Sequence, residues 1–280
     1  MKPIHIAIAS TTSKPGAVDA NLLQIAGFAE QAGRDGADLL LTPELSACGY
    51  GAYPEVLATA ERAGDGPIFK ALRRMAQANR LVVAAGFVEA CGDKKFLAHY
   101  IVFPDGGFVV QRKNRVTPSE QPLDSAEVGE TREPQLSFFE INGVRCVVAI
   151  CADSGIEGLD DLSAKQGINL LLVPTGAGGS RDDRVTTEEL RTDAGRQKYL
   201  HWLERVFFPG KSVIDCIRHR RALAAVNLCG DDGQRHSHLG HGMVITPMGE
   251  VAAFFHGLPN LDRQRPMYAH AVVDLEDCVL

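Results

Sequence analysis

Long apolar runs are missing from this 280-residue chain. Stretches such as Leu39–Leu41 and Leu170–Val173 fall far below the roughly 20 residues that a membrane helix requires. The opening Met1-Lys2-Pro3-Ile4-His5 has neither the apolar centre nor the small-residue cleavage site of a secretory signal. Basic charge is also scarce: 29 Lys and Arg against 35 Asp and Glu give a formal charge of −6. The electrostatic footprint of a phosphate-neutralising protein is therefore lacking, and neither nucleic acid nor a membrane is expected as a partner. The seven cysteines are an odd number and include no Cys-x-x-Cys pair, which argues against a disulfide framework and a four-cysteine zinc site. Most of these thiols should be small buried packing groups. With no Ser/Pro-rich linker, repeat or break in composition, a cytoplasmic chain with a single domain over residues 1–280 is expected.

What is present is an alternation of short Val/Ile/Leu/Ala-rich stretches with amphipathic ones. Ile4–Ser10, Asp38–Thr42, Leu81–Val88, Leu97–Phe103, Val144–Cys151, Asn169–Pro174, Leu223–Leu228, Met243–Thr246 and His270–Val273 read as strands, several buried on both faces. Helices are expected from an N-cap at Asp19 to Gly33 or Gly36, and over Pro67–Asn79, Leu159–Gly167, Glu188–Phe207 and Lys211–Arg221, where apolar positions recur at helical spacing. Pro104-Asp105-Gly106-Gly107 and Pro247-Met248-Gly249-Glu250 are hairpin signals. Antiparallel pairs must then mix with parallel ones, giving an α/β protein with mixed sheets. The Gly-rich stretch Gly176–Arg184 reads as a mobile surface loop at a pocket mouth.

Open α/β sheets place their ligands at the carboxyl ends of strands. Three chemically capable residues sit there: Glu44 after the Asp38 strand, Lys113 after the Val109 strand, and Cys151 after the Val144 strand. Taken together they would make a nucleophilic site. A carboxylate takes the thiol proton, an ammonium lowers the thiol pKa and faces the developing oxyanion, and the sulfur attacks. Singly, each residue is more often packing or solvated surface.

The surrounding residues raise the trio above that level. Gly36-Ala37-Asp38-Leu39-Leu40-Leu41-Thr42-Pro43-Glu44-Leu45 with Cys48-Gly49-Tyr50, then Arg112-Lys113 with Thr117-Pro118-Ser119-Glu120, then Ala149-Ile150-Cys151-Ala152-Asp153 resemble, in order, the three motifs of the nitrilase-like carbon–nitrogen hydrolases. Asn227 and Gly240–Val251 resemble the closing region of that family. The resemblance implies a four-layer α-β-β-α sandwich, commonly a homodimer or larger homo-oligomer, with no metal or organic cofactor. It implies Glu44 as general base and then acid, Lys113 as stabiliser of the tetrahedral intermediate, and Cys151 as nucleophile. Glu120 would position the lysine and substrate, and the Ala152 N–H would join Lys113 as an oxyanion donor. Asp153, Tyr50 and Thr175 take supporting or substrate-positioning places. Asp153, two residues after the cysteine, is similar to the amidase and carbamoylase branches, whereas nitrilases typically carry Trp-Glu there. A small amide or N-carbamoyl compound is the implied substrate, releasing ammonia or an amine. The chain departs from the family at Asn114-Arg115-Val116, where His-Leu usually follows the lysine, at Ala152, often an aromatic, and at Asp215–His219.

Two other readings compete. A catalytically silent, amide-binding scaffold on the same fold would keep the architecture without the chemistry. A metal-dependent hydrolase would use His236, His238 and His241, since neutral imidazole is a preferred zinc ligand, although no His-Glu-x-x-His helix or nearby ligand completes the set. The basic cluster Arg218-His219-Arg220-Arg221 is expected to pair with carboxylates.

Overall fold

The computed structural model describes residues 3–126, 134–180, 185–206, 209–257 and 265–276. Two six-stranded sheets carry the chain. The first is built from β1 (Ile4–Ser10), β2 (Leu39–Leu41), β3 (Val82–Cys91), β4 (Lys94–Val102), β5 (Phe108–Arg112) and β15 (Met267–Val273), in the order β15-β1-β2-β3-β4-β5. The second contains β6 (Phe138–Ile141), β7 (Val144–Val148), β8 (Leu170–Thr175), β10 (Ala222–Asn227), β13 (Gly242–Ile245) and β14 (Val251–Phe255), in the order β14-β13-β10-β8-β7-β6. A small third sheet pairs β9 (Gly179–Ser180) and β11 (Cys229–Asp231) with β12 (His236–Leu239).

The pleat explains why the strands read as continuous apolar runs. In the second sheet Val148, Leu170, Leu172, Ala222, Ala224 and Val226 belong to the large core shared with the first sheet. Their neighbours Val147, Leu171, Val173, Leu223 and Ala225 pack on the other face with Leu159 and Cys216. Side chains alternate across a strand, so a strand covered on both faces must be apolar at every position. Helices α1 (Val18–Arg34) and α3 (Pro67–Asn79), with the one-turn α2 (Pro54–Leu57) between them in sequence, belong to the first sheet's half, while α4 (Leu159–Lys165) and α6 (Pro209–His219) cover the second sheet. The architecture is the expected four-layer α-β-β-α sandwich with mixed sheets. No helix among the described residues is long and apolar enough to cross a membrane.

The two sheets repeat one pairing pattern. Read from β15, the first runs antiparallel, parallel, parallel, antiparallel, antiparallel. Read from β6, the second runs the same way. The middle of each three-stranded parallel block, β2 and β8, is therefore equivalent, and both end at the site described below.

Several expected boundaries shift. Helix α1 begins one residue before Asp19 and its N-cap is Ala17; Asp19 lies in the first turn, where a carboxylate favours the positive end of the helix dipole. The expected helix over Glu188–Phe207 is broken. A 3-10 turn at Glu189–Arg191 ends at extended Thr192, whose Oγ1 accepts the Gly195 N–H at 3.0 Å, and α5 (Asp193–Val206) starts there. Of the Gly176–Arg184 stretch, Gly179–Ser180 is strand β9 rather than loop, paired with His236 and Ser237, and residues 181–184 lie outside the described ones. Of the expected apolar stripe, Trp202, Leu203 and Val206 fall within α5, whereas Phe207 and also Cys278 lie outside the described residues. The basic cluster does pair with carboxylates: Arg218 with Asp215, and His219 and Arg221 with Asp160.

One glycine fixes the corner that follows β2. Gly86 donates its N–H to Ser46 Oγ at 3.1 Å and accepts the Ala47 N–H at 3.0 Å. A Cβ there would lie 2.0 Å from the Leu45 nitrogen. Leu45 itself has φ 51, a costly conformation for a non-glycine residue. Gly86→Ala is expected to destabilise the fold by about 1–3 kcal/mol, because the corner carrying Glu44 must move. Urea denaturation compared with wild type checks this, and an unchanged midpoint would contradict it.

Candidate active site

Four residues from the sequence motifs converge. Glu44 comes from the corner after β2, Lys113 from the end of β5, Glu120 from a short 3-10 turn (Pro118–Glu120), and Cys151 opens another 3-10 turn (Cys151–Gly155) after β7. Lys113 Nζ lies 2.6 Å from Glu44 Oε1 and 2.6 Å from Glu120 Oε1, and all three side chains are fully buried. The second oxygen of each carboxylate is held as well. Glu44 Oε2 accepts the Gly176 N–H at 2.8 Å, and Glu120 Oε2 accepts the Thr117 N–H at 2.8 Å. Tyr50 donates its hydroxyl to Glu120 Oε1 at 3.0 Å. Thr117 and Glu120 form a reciprocal capping box, which fixes the orientation of the glutamate that grips Lys113.

Charge decides the protonation of this cluster. One ammonium faces two carboxylates, leaving one negative charge in excess away from water. Burial raises the Glu44 carboxyl; Lys113 pulls it back, Glu120 pushes it up, and the balance settles at about 7. For Lys113, burial acts downward, but Glu44, Cys151 and Glu120 outweigh it and the ammonium is held above its ordinary range. The Cys151 thiol is raised, first by burial and then by Glu44, with Lys113 opposing. The ammonium thus acts on the thiol in the expected direction, but burial and Glu44 outweigh it, and Cys151 rests as a neutral thiol.

Cys151 has φ 50, a left-handed corner that the motif gives no hint of. Asp153 donates its N–H to the Ile150 carbonyl at 2.9 Å. The N–H of Ala152 therefore precedes the first bond of this turn and belongs to the donors that a helix start leaves open. Asp153 itself is buried and spent on the lysine turn, accepting the Asn114 N–H at 3.0 Å and the Arg115 N–H at 2.8 Å. It supports Lys113 rather than facing the thiol. Asn114, where the family usually has histidine, joins that tie through Nδ2 to the Gln135 carbonyl at 3.1 Å. Thr175 borders the same cavity as Cys151, with its hydroxyl donating to the Val226 carbonyl at 3.2 Å.

Gly176 escaped the sequence reading, which placed it in a mobile loop. A Cβ at this position would lie 2.3 Å from the Tyr50 ring and 3.0 Å from Glu44 Oε2. Only glycine lets the backbone approach the carboxylate, and that is the signal the motif-free stretch offered. The histidines separate. His236 Nδ1 lies 2.9 Å from the Tyr53 hydroxyl and 3.1 Å from Asp232. His238 Nδ1 donates to the Ala177 carbonyl at 3.2 Å, its ring edge-on to Tyr50. His241 is buried beside β13. Among the described residues no group of three His, Cys, Asp or Glu is placed to hold a metal.

Fold and site together define a class: an α-β-β-α sandwich with a buried Glu–Lys–Glu cluster beside a cysteine at a strand end. The carbon–nitrogen hydrolase family model matches residues 5–194, and the chain belongs to that family, enzymes acting on C–N bonds other than peptide bonds. It is 25% identical over 242 residues to a Schizosaccharomyces pombe protein named probable nitrilase, covering 86% of this chain and 76% of that protein. An amidase from Nesterenkonia sp. superposes with a TM-score of 0.74 at 19% identity, covering 98% of this chain and 92% of the amidase. A CN-hydrolase superfamily protein from Xanthomonas campestris, carrying an arsenic adduct in its active site, superposes with a TM-score of 0.72 at 16% identity, covering 97% and 91%.

Proposed function

We propose that the chain hydrolyses a small amide or N-carbamoyl compound through a covalent intermediate on Cys151. The carrying observation is Glu44, held between Lys113 and the Gly176 N–H with its carboxyl raised to about 7, beside a neutral thiol. A base poised near the working pH is what general-base catalysis favours. Glu44 takes the thiol proton as sulfur attacks the carbonyl carbon. Lys113 and the Ala152 N–H face the resulting oxyanion. Glu44 then returns the proton to the leaving nitrogen, and ammonia or an amine departs. Water, activated by the same carboxylate, cleaves the thioester or thiocarbamate and restores the thiol. No cofactor enters these steps. The Nesterenkonia amidase, a mutant of which is seen in complex with butyramide, supports an amide over a nitrile. Exposed Ile214 and Ile217 on α6 support a homodimer or larger homo-oligomer.

Ammonia release from a panel of ω-amides, amino-acid amides, N-carbamoyl amines and nitriles tests this reading. Turnover of an amide or carbamoyl compound is expected, and a folded protein that turns over none of the panel would overturn it.

The pH profile is a second check. Glu44 must be ionised to act, so kcat/KM should rise through a midpoint near pH 7. Stability should run the other way. With the folded pKa raised from 4.5 to about 7, the folded state holds a proton that the unfolded chain releases. That contribution is complete below about 4.5 and is lost as pH rises through 7. A kcat/KM profile that is flat across this window would contradict the assignment of Glu44.

A further inference from the structure

Gly176, Ala177 and Gly178 carry the chain from the end of β8 to the start of β9. The first of them supplies the N–H that Glu44 Oε2 accepts. Glycine has the widest backbone freedom of any residue, so this span keeps an N–H in place only if it is tied down. The tie is the Ala177 carbonyl. It accepts Asn227 Nδ2 at 2.7 Å and His238 Nδ1 at 3.2 Å. A carbonyl only accepts, so His238 carries its ring proton on Nδ1.

Both donors are firmly mounted. Asn227 ends β10 opposite Thr175. Its N–H donates to the His241 carbonyl at 2.7 Å, and its carbonyl accepts the hydroxyl of Ser10, in β1 of the other sheet, at 2.6 Å. His238 lies in β12 opposite Gly230, with its ring edge-on to Tyr50. A Cβ on Gly178 would lie 2.6 Å from His238 Nδ1, so glycine is what lets the backbone close on the imidazole. One donor would satisfy the carbonyl, yet two converge on it. The convergence has a cost: Asn227 Oδ1 and His238 Nε2 are buried and make no hydrogen bond among the described residues. Buried acceptors are nearly always paired, and leaving them unpaired is unfavourable. Packing alone gives no reason to keep two such side chains here.

We propose that Asn227 and His238 are positioning residues that, through the Ala177 carbonyl, hold the Gly176 N–H on Glu44 and so set the pH at which this base works. The proposal rests on the hydrolase reading above. The ionisable groups facing Glu44 are Lys113, Glu120, Tyr50 and Cys151. Those facing His238 are His236, Asp231 and Asp232, besides the Tyr50 ring. Burial holds the His238 imidazole down at about 4. It therefore stays neutral while Glu44 titrates, and the tie is the same throughout.

Asn227→Leu and His238→Phe keep the volume and remove the donor, and His238→Phe also keeps a ring against Tyr50. His238→Asn retains a donor, because the amide nitrogen takes the place of Nδ1. A hydrogen bond to a carboxylate lowers its pKa by roughly one to two units. Each donorless variant should therefore move the acid limb of kcat/KM up from near 7 by about one unit. At neutral pH the loss should be about fivefold, vanishing by about pH 9, and His238→Asn should keep the wild-type midpoint. The infrared band of the protonated Glu44 carboxyl, identified by its loss in Glu44→Gln, should titrate with the same displaced midpoint and needs no turnover. An infrared midpoint unmoved in either folded variant overturns the proposal and leaves the hydrolase reading standing. Failure of both donorless variants to fold makes the pair structural and overturns it as well. A displaced infrared midpoint in a protein that hydrolyses no amide supports the positioning role and removes the hydrolase reading.

Discussion

Cys151→Ala should abolish turnover, by on the order of 10⁶ if this nucleophile resembles those of other covalent hydrolases, while leaving the unfolding transition nearly in place. On the proposed mechanism the sulfur is the atom whose bond to the substrate forms, and no neighbouring thiol substitutes for it. Cys146 is buried in the inter-sheet core with its Sγ 3.3 Å from the Val144 carbonyl. Cys146→Ala should cost on the order of 1 kcal/mol and spare turnover. Stability has a further twist, because φ is 50 at Cys151. Cys151→Gly should be inactive yet at least as stable as Cys151→Ala, since glycine adopts that conformation freely. Ammonia release and thermal unfolding measured on all three variants check this. A Cys146→Ala protein that is inactive beside an active Cys151→Ala protein would show that the third motif is misread.

Lys113→Met should be damaging in two ways at once. On the proposed mechanism it removes the oxyanion partner, at a cost of roughly 10²–10³ in turnover. It also strips the cation from between two buried carboxylates 2.6 Å away on either side, and breaking a buried pair from one side costs about 3–5 kcal/mol. The destabilisation should shrink as pH falls through about 7 and Glu44 takes up a proton. Glu44→Gln keeps the shape and loses the base, so acylation should fail although substrate still binds. The losses of the two variants should not add, because residues acting as one unit are non-additive. A double variant whose loss equals the product of the singles would show that Lys113 and Glu44 work independently.

The legible parts of the fold are those with a strong local rule. Strand β1 and helix α3 occupy the expected residues, one an apolar run and the other opened by a proline at its first turn. The corners bearing Glu44, Lys113 and Cys151 carry motifs, so their meeting was expected. Strands β9, β11 and β12 have two to four residues, too few for a period to register. Strand β6 alternates exposed and buried positions and turns at Asn142-Gly143, but four residues make a weak pattern. The matching order of the two sheets leaves no trace in composition, because it resides in hydrogen-bond pairing rather than in side chains. The break at Thr192 depends on a hydroxyl that caps α5, a local signal that apolar periodicity does not report.

The Gly176 N–H on Glu44 Oε2 joins the ends of β8 and β2, equivalent strands in opposite halves of the sandwich. Loss of this bond would leave the carboxylate one donor short and raise its pKa further. The acidity of the base is thus a gauge of how the halves sit against each other. Truncating Leu172, buried between the sheets and remote in sequence from the motif corners, could retune the enzyme's working pH without altering any group that meets the substrate.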